Sequence, residues 1–437
     1  MKLFSTNHNA RLVSFREAVL RGLPEDNGLY LPMHIPEMSN EFIQSLPKLS
    51  LQEIGFEVTK TLVGDELSED TIRKVVYDSI DFDAPLYRVE SNIYSLELYH
   101  GPTFAFKDFG ARFMARILSH FVKEESRKMT ILVATSGDTG SAVANGFYGI
   151  KDIKVVLLYP KGKVSELQEK QFTTLGGNIT ALEIDGTFDD CQIMVKQAFL
   201  DNDLTGKLDL TSANSINIAR LIPQSFYYFY AYGKLAEQDK PVIFSVPSGN
   251  FGNLCAGVLA HKMGLPSAGF VAATNANNIV PNYLATGKFI PRPSLQTISN
   301  AMDVGNPSNF PRILELYGQR HEAIVRDIAG FSYADSITKK IIKKVHDNYD
   351  YLICPHSAIG YLGIHDAIIS RKEEVNGVFL ATAHPAKFYN IIGEIIHTEI
   401  AFPHSLKTVL NKEKKSFPLS CDYKAFREFL LNLHGIL

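Results

Sequence analysis

The sequence predicts an α/β protein: two lobes, each an open parallel sheet covered by helices, preceded by a mainly helical N-terminal domain. Three observations carry this. Short β-rich runs recur from residue 94 onward: YSLELY (94–99), MTILVAT (129–135), IKVVLLYP (153–160), ITALEID (179–185), PVIFSVPSG (241–249), GFVAATN (269–275), YLICP (351–355) and GVFLATA (377–383). Several are apolar at successive positions, as in parallel strands covered on both faces, and amphipathic helical segments separate them at the spacing of βα units. Finally, 437 residues at 45% hydrophobic content suffice for two large lobes, and a core of that size needs no covalent staples.

Residues 1–93 read as mainly helical. Ser14 and Glu17 form a capping-box pattern ahead of FREAVLRGL. Asp26-Asn27-Gly28 turns the chain, and LQEIGFEVTKTL is a second helical stretch. Residues 94–235 and 236–400 form the two α/β lobes, divided at the polar stretch GKLAEQDKP (233–241). In the first lobe, FGARFMARILSHFV repeats apolar residues at helical spacing through Phe109, Phe113, Ile117 and Phe121. The charged NKEKKS (411–416) sets off a C-terminal helical segment within 401–437.

A net charge of −3 gives no support to a nucleic-acid or anionic-membrane partner. Cys191, Cys255, Cys354 and Cys421 lie far apart, without C-x-x-C spacing. That argues against a zinc site or disulfide framework, so no metal is expected, and it fits a reducing cytoplasm. The N-terminus lacks the apolar core of a secretory signal, and no apolar run is long enough for a membrane span.

Four stretches carry chemistry. HGPTFAFKDFG (100–110) sets Lys107 among phenylalanines. Apolar surroundings disfavour its ammonium, and a neutral amine is a Schiff-base nucleophile; the same residues also suit a core helix with a snorkelling lysine. Three strand ends follow, where open α/β sheets collect ligands. ATSGDTG leads a strand into a helix start with free N–H groups and hydroxyls, suited to an anion or to simple capping. VPSGNFGN offers a glycine-rich loop whose N–H groups can converge on a phosphate. It is neither a Walker loop nor a dinucleotide fingerprint. ATAHPAKF places Thr382 and His384 at a strand end, which on its own reads as an ordinary turn. Together, a desolvated lysine, a phosphate cup, an anion site and a lone hydroxyl match pyridoxal 5′-phosphate.

At these residues the sequence resembles the threonine synthases of the long bacterial and fungal type, within the fold-type II pyridoxal-phosphate enzymes of tryptophan synthase β-like architecture. HGPTFAFKDFG, ATSGDTG, LQEKQFTTLGGNI, TSANSINIARL, SVPSGNFGN, SNAMDVGNPSN and ATAHPAKF occur in family order, and NGLYLP resembles part of the family's N-terminal domain. The resemblance implies elimination of phosphate from O-phospho-L-homoserine and addition of water to give L-threonine. It implies that Lys107 holds the cofactor and then serves as acid and base. Phe106 and Gly249, Asn250, Phe251, Gly252 and Asn253 would bind the cofactor, the loop at its phosphate. Thr382 would meet the ring nitrogen. Asp138 stands where shorter relatives carry asparagine near the phenolic oxygen. Thr135, Ser136 and Thr139 would receive the substrate carboxylate, and Asn214, Ser215 and Arg220 its phosphate. A monomer or weak homodimer is expected. The rival readings are a lyase of the same fold releasing a keto acid, and a non-catalytic homologue.

Overall fold

In the computed structural model, which describes residues 1–371 and 373–436, the chain forms three sheets. The N-terminal region carries helices Phe15–Arg21, Asn40–Ser45, Leu51–Val63 and Glu69–Ser79, and also a small antiparallel sheet of Lys2–Ser5, Val13–Ser14 and Tyr30–Pro32. Ser14 caps its helix by accepting from the Glu17 N–H at 3.1 Å. The reciprocal half is missing, because Glu17 instead pairs with Arg21 at 2.9 Å. A complete capping box forms at Ser50 and Glu53, where helix Leu51–Val63 starts.

The lysine-bearing lobe is a five-stranded parallel sheet in the order Phe417–Ser420, Ile179–Asp185, Ile153–Pro160, Met129–Ala134, Leu210–Ser212. Helix Lys107–Glu124 fully buries Phe109, Phe113, Ile117 and Phe121; Phe121 meets Phe15 and Phe109 meets Phe82 of the N-terminal region, while Phe113 meets Phe226. The same helix meets helix Asp138–Phe147 closely. A Cβ at Gly146 would lie 3.2 Å from the Ala111 backbone, so glycine sets that approach. The other lobe is a six-stranded sheet in the order Ile328–Ser332, Ser267–Thr274, Val242–Pro247, Asn376–Ala381, Ile93–Glu97, Leu86–Glu90, parallel except for the last pair.

Three expectations are corrected by this topology. Ile93–Glu97, expected in the lysine-bearing lobe, pairs with Asn376–Ala381 in the other sheet. An apolar run suits either sheet, and here the chain leaves this strand, crosses through HGPTFAF and enters the first lobe at Lys107. The YLICP segment is not a strand. Strand Asn376–Ala381 fills the place between Val242–Pro247 and Ile93–Glu97, and Pro355 opens helix Pro355–Ile369. The segment packs instead by side chains, with the Tyr351 hydroxyl donating to Glu97 at 2.6 Å. The C-terminal segment, expected to be helical, contains strand Phe417–Ser420 between helices His404–Leu410 and Tyr423–Leu433. Pro418 is tolerated there because the strand is an edge. Among the described residues, no helix is long and apolar enough to cross a membrane, and no cluster of His, Cys, Asp and Glu is placed to hold a metal.

Candidate active site

The lysine segment is held to the end of strand Asn376–Ala381 by backbone hydrogen bonds. Phe106 N–H donates to the Thr382 carbonyl at 2.9 Å, His384 N–H donates to Phe104 at 3.1 Å, and Ala105 bridges Ala383. Lys107 and Thr382 are thereby fixed relative to each other. The preceding turn is locked by Asp108, which accepts from Thr103 N–H at 2.8 Å and Thr103 Oγ1 at 2.7 Å. A Cβ at Gly101 would lie 2.5 Å from that carboxylate, so the turn needs glycine. Burial pushes Asp108 up to about 6.

Lys107 lines a cavity of about 860 Å³. Its Nζ sits 4.2 Å from the Phe106 ring centroid and makes no hydrogen bond or ion pair with any described residue. Desolvation, reinforced by the Arg220 charge and opposed by Asp138, pulls its pKa down to about 8. About a tenth is therefore a neutral amine at pH 7, against well under a thousandth for an ordinary lysine.

The same cavity is lined by Gly249, Asn250, Phe251, Gly252, Asn253 and Thr382. Strand Val242–Pro247 ends here, and Phe251 takes a left-handed conformation (φ 60°) before helix Gly252–Lys262. The turn is tied from within. Ser248 Oγ donates to Asn253 Oδ1 at 3.0 Å, and Asn253 Nδ2 donates to the Pro247 carbonyl at 2.9 Å. The N–H groups of residues 249–253 donate to no described backbone or side-chain group. Consecutive uncommitted N–H groups at a helix start form an anion nest. The site thus supplies what pyridoxal 5′-phosphate requires: an unpaired amine, a phosphate nest, and a hydroxyl at the third strand end.

The other expected residues also line this cavity, but not all with free groups. Thr135 Oγ1 accepts from the N–H groups of Gly137 at 3.0 Å and Gly140 at 2.8 Å, so its hydroxyl shapes the turn. Ser136 and Thr139 are partly exposed to the cavity. Asn214 uses its amide N–H on the Ala134 carbonyl at 2.9 Å. Ser215 Oγ accepts from Asn309 Nδ2 at 3.1 Å. Arg220 is 1% exposed, donates to the Ala213 carbonyl and leaves its Nε without a partner. Burial pulls it down to about 10, so the guanidinium stays charged at neutral pH.

Four sets of residues come into the site without having been picked out beforehand. His356 lines the cavity, accepts from Ala301 N–H at 3.2 Å and is held near 4 by burial, hence neutral. It follows YLICP and was masked by the strand expected there. Lys387, five residues after Thr382, forms a 2.6 Å ion pair with Asp138, which also accepts from Gln168 at 2.8 Å. Both lie inside stretches already singled out, ATAHPAKF and LQEKQFTTLGGNI. Asn309 and Arg312 tie the cup to the other lobe, since Asn309 N–H donates to Asn250 at 3.1 Å and Arg312 donates to Ser215 and Ile216 carbonyls. Thr6, Asn7, Asn27, Gly28 and Leu29 bring the N-terminal region to the cavity wall.

A two-lobed parallel fold with a lysine, nest and hydroxyl of this kind defines a pyridoxal-phosphate enzyme, and the family described as pyridoxal-phosphate dependent enzyme matches residues 83–381. The flanks narrow the class: the threonine synthase N terminus family matches residues 2–80, and the threonine synthase C-terminal family matches 357–430. Threonine synthase from Haemophilus influenzae is 45% identical over 432 residues, spanning 99% of this chain and 100% of that protein. The crystal structure of threonine synthase from Escherichia coli superposes with a TM-score of 0.93 at 43% identity, covering 99% of this chain and 100% of that one. A pyridoxal-phosphate-bound threonine synthase from Brucella melitensis gives 0.92 at 34% identity, covering 99% of each. The chain belongs to the threonine synthase family of pyridoxal-phosphate-dependent lyases.

Proposed function

We propose that this cavity converts O-phospho-L-homoserine and water into L-threonine and phosphate, with pyridoxal 5′-phosphate carried on Lys107. The observation that carries this is one cavity holding an unpaired lysine amine together with two anion sites of different make, the 249–253 nest and Arg220. When bound, the coenzyme supplies an electron sink for the charge left as protons leave the substrate carbons.

The chain's own residues do the rest. The N–H groups of Gly249, Asn250, Phe251, Gly252 and Asn253 would seat the coenzyme phosphate, with Phe106 beside the coenzyme. Thr382 would offer the ring nitrogen a hydroxyl, which, unlike a carboxylate, does not favour its protonation. Asp138 would face the phenolic oxygen of the coenzyme. Lys107, once released from the coenzyme, moves protons at the substrate carbons, and an amine held near 8 can both take and return them. Ser136 and Thr139 at the helix start hold the substrate carboxylate, and Thr135 keeps their turn in shape. Arg220, Asn214 and Ser215 hold the substrate phosphate, the arginine through its planar fork.

The four cysteines are free, three of them buried, as suits a reducing cytoplasm.

The test is product analysis. Wild-type chain with pyridoxal phosphate and O-phospho-L-homoserine should release threonine and phosphate in equal amounts. Lys107→Ala should lower turnover at least about 10³-fold and lose the visible absorbance of bound coenzyme. A keto acid in place of threonine would move the chain to the lyases of the same fold.

A further inference from the structure

Lys107 needs a neutral amine, yet a carboxylate, Asp138, lines the same cavity and exerts an attraction on it. A buried Asp–Lys pair would ordinarily hold both partners charged. Here Asp138 is already taken. Its Oδ1 receives Lys387 Nζ at 2.6 Å and Gln168 Nε2 at 2.8 Å. Lys387 has no exposed side-chain surface, and its remaining contact is the Thr103 carbonyl at 2.9 Å, on the turn that leads to Lys107. Asp138 also opens helix Asp138–Phe147, where the helix dipole favours an anion. Although burial raises Asp138, Lys387 and Gln168 outweigh it and hold the carboxyl below its usual range.

We propose that Lys387 is a positioning residue: it occupies Asp138 as a buried counter-ion, so that Lys107 is left without an ion-pair partner and remains a nucleophile. This rests on the assignment of Lys107 as the coenzyme-bearing amine. The charged and titratable groups around the pair are Lys107, Arg220, Asp108, His356, His384 and Cys354. Arg220 repels a Lys107 ammonium, His356 and His384 are held neutral by burial, burial raises the Cys354 thiol, and Asp108 is held by Thr103. None of them competes with Lys387 for Asp138 by hydrogen bond or ion pair among the described residues. Asp138 therefore presents Lys107 with half of an ion pair already formed, not a bare charge.

The test reads Lys107 directly. The full-length chain, freed of coenzyme, is pulse-labelled with acetic anhydride across pH 6–11, and Lys107 acetylation is followed by peptide mass spectrometry. The rate of pyridoxal phosphate capture is measured over the same range. Lys387→Met should raise the Lys107 midpoint by about one pH unit or more and slow capture at pH 7 about tenfold. Lys387→Arg, which keeps the charge, should stay near wild type. The double variant Asp138→Asn/Lys387→Met, which removes both charges, should return the midpoint towards the wild-type value. A folded Lys387→Met with an unchanged midpoint overturns the proposal, as does a double variant shifted as far as Lys387→Met. Should Lys387→Met fail to fold, Asp138→Asn decides. With Lys387 left unopposed the Lys107 midpoint should fall, and an unchanged or raised midpoint overturns the proposal. Acetylation needs no substrate, so failure here is separable from failure to make threonine.

Discussion

At one end of the cavity the loop 248–253 contains no charged residue and offers backbone N–H groups with the Asn250 side-chain amide. At the other, Arg220 offers a full charge, buried, with a free Nε and no carboxylate within ion-pair distance among the described residues. The two constructions suit different occupants. N–H dipoles pointing into a nest are desolvated cheaply, and no side-chain protonation governs them. They fit a phosphate that stays through every turnover. A guanidinium held in the protein without a counter-ion is costly until an anion arrives. It fits a phosphate that arrives with the substrate and leaves as product. The asymmetry predicts that damage at Arg220 falls on turnover, and damage at the nest falls on coenzyme retention.

Replacing Arg220 should break this comparison most sharply. Arg220→Ala should lower kcat/KM about 10²–10³-fold, with coenzyme affinity within about twofold of wild type. Arg220→Lys should rescue little, because a point charge does not reproduce the planar fork. Steady-state kinetics together with coenzyme titration would check both. Equal losses in coenzyme affinity and turnover would mean that the two ends are not independent.

How much of this was legible in the sequence depends on whether the signal was local. The apolar runs at 129–134, 153–160, 242–247 and 376–381 became parallel strands because burial on both faces leaves its mark in each run by itself. The glycines of 248–253 announced a loop of unusual backbone, and Phe251 does take the left-handed conformation. Sheet membership is not local. Ile93–Glu97 carries nothing to say which of two sheets it joins, and YLICP carries nothing to say that Asn376–Ala381 takes the neighbouring place. Likewise the residue types at the site could be guessed, but not which were already committed. Thr135 and Asn253 were both read as ligand contacts, and their side chains turn out to hold their own turns. Lys387 was invisible because its partner is about 250 positions away in sequence.

Lys107 sharpens the same contrast between cost and use. Its pKa near 8 lies below the ordinary 10.5, so the unfolded chain binds more protons between those values. Below pH 8 the folded coenzyme-free chain bears the full penalty of desolvating this amine, and the penalty fades as pH rises through 10.5. Stability of the coenzyme-free chain should therefore gain a positive contribution from this residue between about pH 8 and 10.5. Lys107→Met should remove that contribution and stabilise the chain at pH 7 by about 2 kcal/mol, allowing for partial contact with cavity water. Denaturant titrations at pH 7 and pH 10 would check it. A variant less stable than wild type at pH 7 would show that the amine is better accommodated than its isolation suggests.

The smallest expected effect is at the nest, and it tests whether that end depends on backbone shape alone. Gly249 has an ordinary φ, so its role is not conformational freedom but room. A Cβ there would lie 2.8 Å from the Ala301 carbonyl and 2.9 Å from Met302 Cα. Both are backbone atoms of a segment pinned elsewhere, since Ala301 N–H donates to His356 and Met302 N–H to Ser299. The segment cannot yield cheaply, so Gly249→Ala should shift the cup instead, at about 1–2 kcal/mol. Because the N–H groups of 249–253 move with it, that cost should appear as a roughly tenfold weaker hold on pyridoxal phosphate, with kcat at saturating coenzyme little changed. Gly252→Ala serves as the control within the same loop: its Cβ would meet nothing closer than 3.4 Å. If Gly252→Ala weakened coenzyme binding as much as Gly249→Ala, crowding against residues 301–302 would not be the cause. The nest would then depend on the flexibility of its glycines.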